Sequence, residues 1–263
     1  MNRTAALLVI LLTLAIIPAS PAMGQSSPVK WPGGAQAAVV LSYDDSLRSQ
    51  LDIAVPQLDR AGFKGTFFLS GTFAQEDVDR WRQVAASGHE LGNHSVFHPC
   101  ARGTFDMPEQ YNNERYSVRT MLTEIRTMNT LLHAIDGRTE RTYATPCGQS
   151  VVGGEDYTAP LRASGLVKYV RGTGPNGPGA IDPFNTPGMF FPETVTGAEL
   201  IAYVEDAHRR GGLAVLGFHG VGGDYLKVSA DAHQQLVTYL HDHRDVFWVA
   251  TFRQAMDQVQ AAH

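Results

Sequence analysis

The sequence has no block of basic residues and carries a formal net charge of −5 over 263 residues. Nucleic-acid-binding domains have clustered positive charge, so this composition gives no indication of a nucleic-acid partner. Charged residues make up 18% of the chain and hydrophobic residues 43%, a balance that favours a substantial core over disorder. Internal repeats and low-complexity tracts are also lacking. We therefore expect one mid-sized folded domain.

Long apolar runs are lacking outside the N-terminus, where residues 5–17 follow Arg3 and precede a stretch of small residues. This pattern is typical of a secretory signal peptide, and the run is shorter than the roughly 20 residues of a membrane-spanning helix. We expect cleavage after Gly24, which leaves a catalytic domain over residues 25–263. The protein is then secreted or periplasmic, without stable membrane insertion. The alternatives are cleavage after Ala22 and an uncleaved anchor.

Short apolar runs alternate with segments of helical periodicity between Ala37 and Val259. This alternation predicts an α/β fold with a mostly parallel sheet and right-handed crossovers. About seven strand-helix units favour a closed barrel over an open sheet. Residues 109–135 form the longest predicted helix, and residues 172–192, rich in glycine and proline, are predicted to form a long loop.

Polar motifs follow the predicted strands at the points where the strands end. Asp44-Asp45, His94, Cys147, Arg171 and His219 all occupy such positions. The C-terminal ends of the strands build the active site of an α/β barrel. We therefore expect these distant residues to converge on one rim.

The histidines of His94-Ser95-Val96-Phe97-His98 face the same way if one helical turn forms. Neutral imidazoles bind zinc and similar divalent metals, although ten histidines in the chain also produce this spacing by chance. The adjacent carboxylates of Asp44 and Asp45 strengthen the case, because carboxylates at a buried strand end are costly unless cations pair with them. The alternative is that an aspartate caps the next helix.

A division of roles between the two aspartates follows. Asp45, His94 and His98 supply three metal ligands, which leaves open positions for water and substrate. Asp44 is then available as a base. His219, after the strand Leu213–Phe218, is a candidate general acid. The alternative role of His219 is structural, as a histidine at the end of a strand that is hydrogen-bonded to the backbone.

These motifs identify a family resemblance that spans about residues 35–255. The chain resembles the polysaccharide deacetylases of the NodB homology domain, also called carbohydrate esterase family 4. The family motif T-F-D-D appears as Ser42-Tyr43-Asp44-Asp45, H-[ST]-x-x-H is intact from His94 to His98, and the late leucine-histidine motif resembles residues 216–219.

The resemblance implies a distorted (β/α) barrel with seven or eight mostly parallel strands. It implies that Asp44 is the catalytic base, that His219 protonates the leaving group, and that Asp45, His94 and His98 bind Zn²⁺ or another divalent metal such as Co²⁺, Mn²⁺ or Ni²⁺. The implied reaction removes N-acetyl groups from chitin-like or peptidoglycan sugars, or O-acetyl groups from xylan. The expected partner is therefore an acetylated oligo- or polysaccharide.

The third family motif, R-P-P-[YF]-G, is altered to Ala144-Thr145-Pro146-Cys147-Gly148. The N–H of Cys147 remains a candidate oxyanion donor. Ala144 replaces the arginine that orients the catalytic aspartate in the family. Arg171, at the end of the next predicted strand, is our candidate substitute, and a surface arginine is the alternative.

The fourth motif, with its Asp and Trp, is not visible. Asp182 is a candidate for tuning His219. Tyr43, Phe97 and Pro146, with the 172–192 loop, are candidates for binding the sugar. Ordinary core packing is the alternative for Tyr43 and Phe97.

The two cysteines, Cys100 and Cys147, both lie near the metal rim if the resemblance holds. In the oxidising compartment reached by an exported protein they are expected to form a disulfide. Free buried cysteines, or Cys147 as a further metal neighbour, are the alternatives. Two other functions also remain open: a catalytically silent carbohydrate-binding protein, and a metal amidase acting on a small non-sugar molecule.

Overall fold

The computed structural model describes residues 29–177 and 181–262, so the expected signal peptide over residues 1–24 lies outside the described residues. The strands are β1 (Ala37–Asp44), β2 (Thr66–Leu69), β3 (Glu90–Asn93), β4 (Thr142–Ala144), β5 (Val151–Val152), β6 (Glu155–Asp156), β7 (Tyr169–Thr173), β8 (Thr186–Phe190), β9 (Leu213–Phe218) and β10 (Phe247–Ala250). The helices are α1 (Val55–Ala61), α2 (Val78–Ala86), α3 (Val118–Asp136), α4 (Thr158–Ser164), α5 (Gly197–Arg209), α6 (Ala230–Asp242) and α7 (Phe252–Ala261).

Seven parallel strands form a closed ring in the order β1, β2, β3, β4, β7, β8, β9, and β9 pairs with β1 to close it. β10 pairs with the first half of β1, whereas β2 pairs with the second half. β3 and β4 meet only at Asn93 and Tyr143, so the ring is irregular there. The predicted distorted barrel of seven or eight mostly parallel strands is confirmed.

Strand β8 lies inside the segment for which the sequence predicted a long loop. It pairs with β7 on one side and β9 on the other, so the ring depends on it. The loop prediction was wrong at these residues because Pro187 and Gly188 weaken the sequence signal of a strand. Position 188 has no room for a larger residue than glycine, because a Cβ there would lie 2.6 Å from Cδ of Arg171.

Helix α7 closes the end of the barrel where the strands begin. Its Phe252 and Met256 belong to the same buried cluster as Trp31, which precedes β1, and Val40 inside the ring. The N–H of Phe252 donates to Oγ1 of Thr66, the first residue of β2 (2.7 Å). Apolar side chains therefore fill this end, and the polar motifs lie at the opposite end.

Helices α1, α2, α5 and α6 cover the outer face of the ring. Leu58, Trp81, Leu200 and Leu236, one from each helix, lie in one buried cluster with outward side chains of the strands. Helix α1 ends at Gly62, whose φ of 71° is readily adopted by glycine. Within the described residues, no helix combines the length and apolar character needed to cross a bilayer.

Candidate metal centre and active site

The side chains predicted from the strand ends meet at one rim of the barrel. A cavity of about 1000 Å³ opens at this rim. The residues that we singled out for chemistry all contribute to its wall, namely Asp44, Asp45, His94, His98, Cys147, Arg171 and His219.

Three side chains form a triangle that fits a divalent ion. Oδ1 of Asp45 lies 3.5 Å from Nε2 of His94 and 3.5 Å from Nε2 of His98. The two Nε2 atoms are 3.1 Å apart. A tetrahedral ion with ligand bonds of about 2.1 Å separates its ligands by about 3.4 Å. One carboxylate and two imidazoles at this spacing therefore suit zinc or a similar metal.

The segment from His94 to His98 is an irregular loop, so the helical turn assumed from its spacing was wrong. Ser95 and His98 have positive φ angles of 61° and 52°. The N–H of His98 donates to Oγ of Ser95 (3.0 Å), and Glu124 on α3 accepts from two further N–H groups of the loop (3.2 and 3.1 Å). This folded-back backbone brings both rings to one point.

The protonation states of the two histidines suit metal binding. Nδ1 of His94 lies 2.7 Å from the carbonyl oxygen of Ala144, which can only accept, so Nδ1 carries the proton and Nε2 keeps its lone pair. Burial lowers the pKa of His94 to about 3 and also lowers the pKa of His98. Burial and the neighbouring Asp44 raise the pKa of Asp45 to about 6. A bound cation counteracts both effects on Asp45.

Arg171 lies inside the barrel and is fully buried, so the alternative of a surface arginine is wrong. Its Nη2 donates to Oδ2 of Asp44 in an ion pair, and its Nη1 donates to the carbonyl of Gly172 (3.1 Å). The rings of Phe68 and Phe190 lie 5.2 and 5.0 Å from the guanidinium carbon. These contacts hold the guanidinium in one position.

Asp44 is ionised, and one of its two carboxylate oxygens accepts no hydrogen bond from the described residues. Burial raises the pKa of its carboxyl, but the charge and hydrogen bond of Arg171, together with the nearby imidazoles of His94 and His219, leave the pKa below its ordinary value. Oδ1 of Asp44 is buried without a hydrogen-bond partner among the described residues. An ionised carboxylate with a free oxygen can accept a proton.

His219 lies on the cavity side of the metal triangle. Its Nε2 is 3.7 Å from Oδ2 of Asp45, and its ring packs against Phe190 with 4.9 Å between centroids. The hydroxyl of Tyr225 donates to the same Oδ2 (3.1 Å). Phe190 and Tyr225 were missed by the sequence analysis, because a single aromatic residue in a strand or loop carries no spacing signal.

Two further polar residues clarify the surroundings of His219. Gln50 donates to the carbonyls of Asp44 and His219 (2.5 and 3.0 Å) and thereby joins the ends of β1 and β9. Asp182 instead caps the N–H of Phe184 (2.9 Å) and lies 3.6 Å from Arg162. The predicted tuning of His219 by Asp182 is therefore wrong.

The turn Pro146–Gly148 presents the backbone of Cys147 to the cavity, with φ of 52° at this residue. Its N–H has no acceptor in the described part of the chain. Cys100 and Cys147 form the expected disulfide, with their Cα atoms 5.9 Å apart. Free thiols, and a thiolate of Cys147 beside the metal, are therefore excluded. The bond ties this turn to the loop that carries His98.

The three sugar-binding candidates have different positions. Phe97 lies in the cavity wall and stacks on Tyr111, with 4.5 Å between centroids. Pro146 is buried outside the wall. Tyr43 is fully buried, and its hydroxyl lies 2.6 Å from Nε2 of His233, so the predicted sugar contact is wrong. Successive strand side chains point to opposite faces, so Tyr43 points outward where Asp44 points inward.

Comparisons with known proteins agree with this fold. A family model described as polysaccharide deacetylase matches residues 33–160. A protein from Mycobacterium smegmatis, provisionally assigned as a polysaccharide deacetylase, has a similar structure, with a TM-score of 0.62, 20% identity and coverage of 90% of this chain and 95% of that chain. The peptidoglycan deacetylase PdaC from Bacillus subtilis has a TM-score of 0.55 at 19% identity, covering 85% of this chain and 91% of its own.

Among curated proteins, a gellan lyase from Bacillus sp is 29% identical over 136 residues, which is 52% of this chain and 5% of the lyase. The chain spans 5% of the length of this lyase and 15% of the length of a second curated relative. The structural neighbours establish the fold, and the family model covers the segment that carries Asp44, Asp45, His94 and His98. With these motifs in place on the matching barrel, the chain belongs to the polysaccharide deacetylase family.

Proposed function

We propose that this protein is a metal-dependent deacetylase that hydrolyses N- or O-acetyl groups of an acetylated oligo- or polysaccharide. The observation that carries the proposal is the triangle of Asp45, His94 and His98, with edges of 3.1 to 3.5 Å, beside the ionised Asp44. The proposed metal is Zn²⁺, or another divalent ion such as Co²⁺, Mn²⁺ or Ni²⁺.

A divalent ion held by these ligands would lower the pKa of a bound water and polarise the carbonyl of the substrate. Asp44, held ionised by Arg171, accepts the proton of the attacking water at its free Oδ1. The N–H of Cys147 donates to the oxyanion that develops as water adds. His219 lies at the cavity and protonates the departing amine or alcohol.

The disulfide supports secretion or a periplasmic location, because such bonds persist in oxidising compartments. The ionised Asp44 and the cavity-facing His219 support catalysis over silent carbohydrate binding, since a binding protein requires neither a base nor an acid. The apparent loss of the third-motif arginine is offset by Arg171.

Acetate release from chitooligosaccharides and acetylxylan tests the proposal, with chelator-treated protein reloaded with Zn²⁺. Asp44→Asn should abolish turnover while calorimetry shows that Zn²⁺ still binds. Asp182→Asn, a carboxylate distant from the centre, is the matched control and should keep the wild-type rate. Wild-type turnover in Asp44→Asn would contradict the assignment of the base.

His219→Asn tests the acid separately. The variant should lose far more rate on N-acetyl substrates than on 4-nitrophenyl acetate, because nitrophenolate leaves without protonation. Equal losses on both substrates would argue against a role in leaving-group protonation.

A further inference from the structure

The wall of the cavity carries most of the exposed large apolar side chains of the described residues. Six large apolar side chains are strongly exposed in the part of the chain that the structure describes, and four of them line this cavity. These four are Phe97, Phe105, Tyr225 and Leu226, which are 43%, 47%, 52% and 56% exposed.

The four residues come from two segments that flank the reactive centre. The ring of Phe105 lies 6.0 Å from the ring of His98, and the ring of Tyr225 lies 6.4 Å from the ring of His219. Exposed apolar side chains concentrated at one cavity usually mark a binding site, because their hydration is unfavourable. The apolar wall therefore lies beside the groups that perform the reaction.

Apart from the reactive centre, the groups of this wall that can bind sugar hydroxyls are the carboxylate of Asp106 and the hydroxyls of two tyrosines and four threonines. Three of these hydroxyls, those of Tyr225, Thr72 and Thr104, are already hydrogen-bonded to the protein. Among the described residues, no Asn, Gln, Glu or Lys side chain lines the cavity. Arg171, the basic side chain other than histidine in the wall, is already paired with Asp44. Specific recognition of a polar ligand requires placed hydrogen-bonding groups, whereas an apolar wall favours an apolar ligand.

A cavity of about 1000 Å³ also greatly exceeds what an acetyl group fills. In an acylated carbohydrate the acyl group is the apolar part, and the sugar presents hydroxyls that stay hydrated. The apolar surface is thus matched by a longer acyl chain rather than by a second sugar.

We infer that the preferred substrate carries an acyl chain longer than acetyl, bound between Phe105 on one side and Leu226 on the other. This inference rests on the proposed hydrolase function and specifies its substrate class. The reaction balances as before: the oxygen of water joins the acyl carbon, the C–N or C–O bond breaks, and the leaving nitrogen or oxygen takes a proton. The products are a medium-chain carboxylic acid and the free sugar.

The test uses Zn²⁺-loaded protein and glucosamine trimers that are N-acylated with acetyl, butyryl, hexanoyl or octanoyl chains, below their aggregation concentrations. The kcat/KM should rise by about two- to fourfold for each methylene that the wall covers. Phe105→Ser and Leu226→Ser should each lower the octanoyl-to-acetyl ratio of kcat/KM by about tenfold. Leu131→Ser removes an exposed leucine outside the cavity and should leave this ratio and both rates unchanged.

The outcomes separate the two proposals. Hydrolysis of the acetyl substrate with a kcat/KM that stays flat or falls with chain length would overturn the inference and leave the deacetylase intact. A chain-length preference that survives both serine variants would overturn the placement of the chain. Absence of turnover on every member of the series and on acetylxylan would overturn the proposed function itself.

Discussion

Arg171 on β7 forms a buried ion pair with Asp44 on β1, and its own backbone pairs in register with Ala144 on β4. Ala144 occupies the position where the resemblance led us to expect an arginine. The guanidinium therefore reaches the same aspartate from the neighbouring strand. Relocation of the charge by one strand keeps Asp44 ionised inside the barrel.

Arg171→Met should lower kcat/KM by about 100-fold or more, because the base loses both its positioning and its depressed pKa. Removal of the positive charge raises the pKa of Asp44, so the acid limb of the pH–rate profile should move to higher pH. Arg171→Lys retains the charge and should show a smaller shift. An unmoved acid limb in the methionine variant would contradict this role.

Gly188→Ala should disturb the same ion pair without removing it. The added Cβ would lie 2.6 Å from Cδ of Arg171, inside any permitted contact distance. Overpacking of this kind costs about 1–3 kcal/mol of unfolding free energy, measurable by urea denaturation. Gly177→Ala, where no atom of the described residues lies within 4 Å of the added carbon, is the control and should be close to neutral.

Tyr225→Phe should weaken Zn²⁺ binding by about tenfold in calorimetry, because the hydroxyl that holds the outer oxygen of Asp45 is lost. Tyr111→Phe removes a hydroxyl from the same cavity, where its ring stacks on Phe97. That variant should bind Zn²⁺ with wild-type affinity. Equal affinities for all three proteins would show that the Tyr225 hydrogen bond does not support the metal site.

Replacement of Cys100 and Cys147 by serine should lower the free energy of unfolding by about 4 kcal/mol, from the chain entropy of the opened loop. The two residues are 47 positions apart. Reduced wild-type protein should match the double variant in urea denaturation. A variant as stable as the oxidised wild type would show that the disulfide contributes little to folding.

The buried His233 should make the protein sensitive to acid. Burial lowers its pKa to about 3, whereas an unfolded chain has a histidine pKa of about 6.5. The unfolded state therefore binds more protons between these values, and stability is complete above pH 6.5 and falls as the pH drops towards 3.

Unfolding in urea at a series of pH values measures this effect. His233→Gln should reduce the slope of stability against pH in that window, by at most about 1.4 kcal/mol per pH unit. The exposed His133→Gln serves as the control and should retain the wild-type slope. An unchanged slope in His233→Gln would show that another group dominates acid unfolding.

The elements with strong periodicity were predictable from sequence. Strand β9 has a continuous apolar run, and the strand predicted at Leu213–Phe218 has these bounds in the structure. The longest helix, predicted over residues 109–135, is α3 (Val118–Asp136), which begins nine residues later than predicted. Strand β8 was missed because its proline and glycine remove the local signal, while its pairing with β7 and β9 depends on residues distant in the chain. The hairpin of β5 and β6 is too short to have a detectable pattern.

The residues of the candidate site likewise include some that the sequence predicts and some that it does not. Asp44, Asp45, His94 and His98 were predictable because their motifs lie within a few residues of one another. Phe190 and Tyr225 were not predictable. Phe190 meets His219 only when the strands close into the barrel, and Tyr225 meets Asp45 only when the loop after β9 folds back. Local motifs thus indicate the chemistry, whereas the shape of the cavity requires the assembled fold.

Helix α7 leaves the barrel with a single mouth, because Phe252 and Met256 obstruct the far end. A polymer cannot thread through this molecule, and under the proposed function each acyl product leaves by the path its precursor entered. Under the proposed function, a polysaccharide therefore binds across this mouth, and only its acyl group enters the barrel.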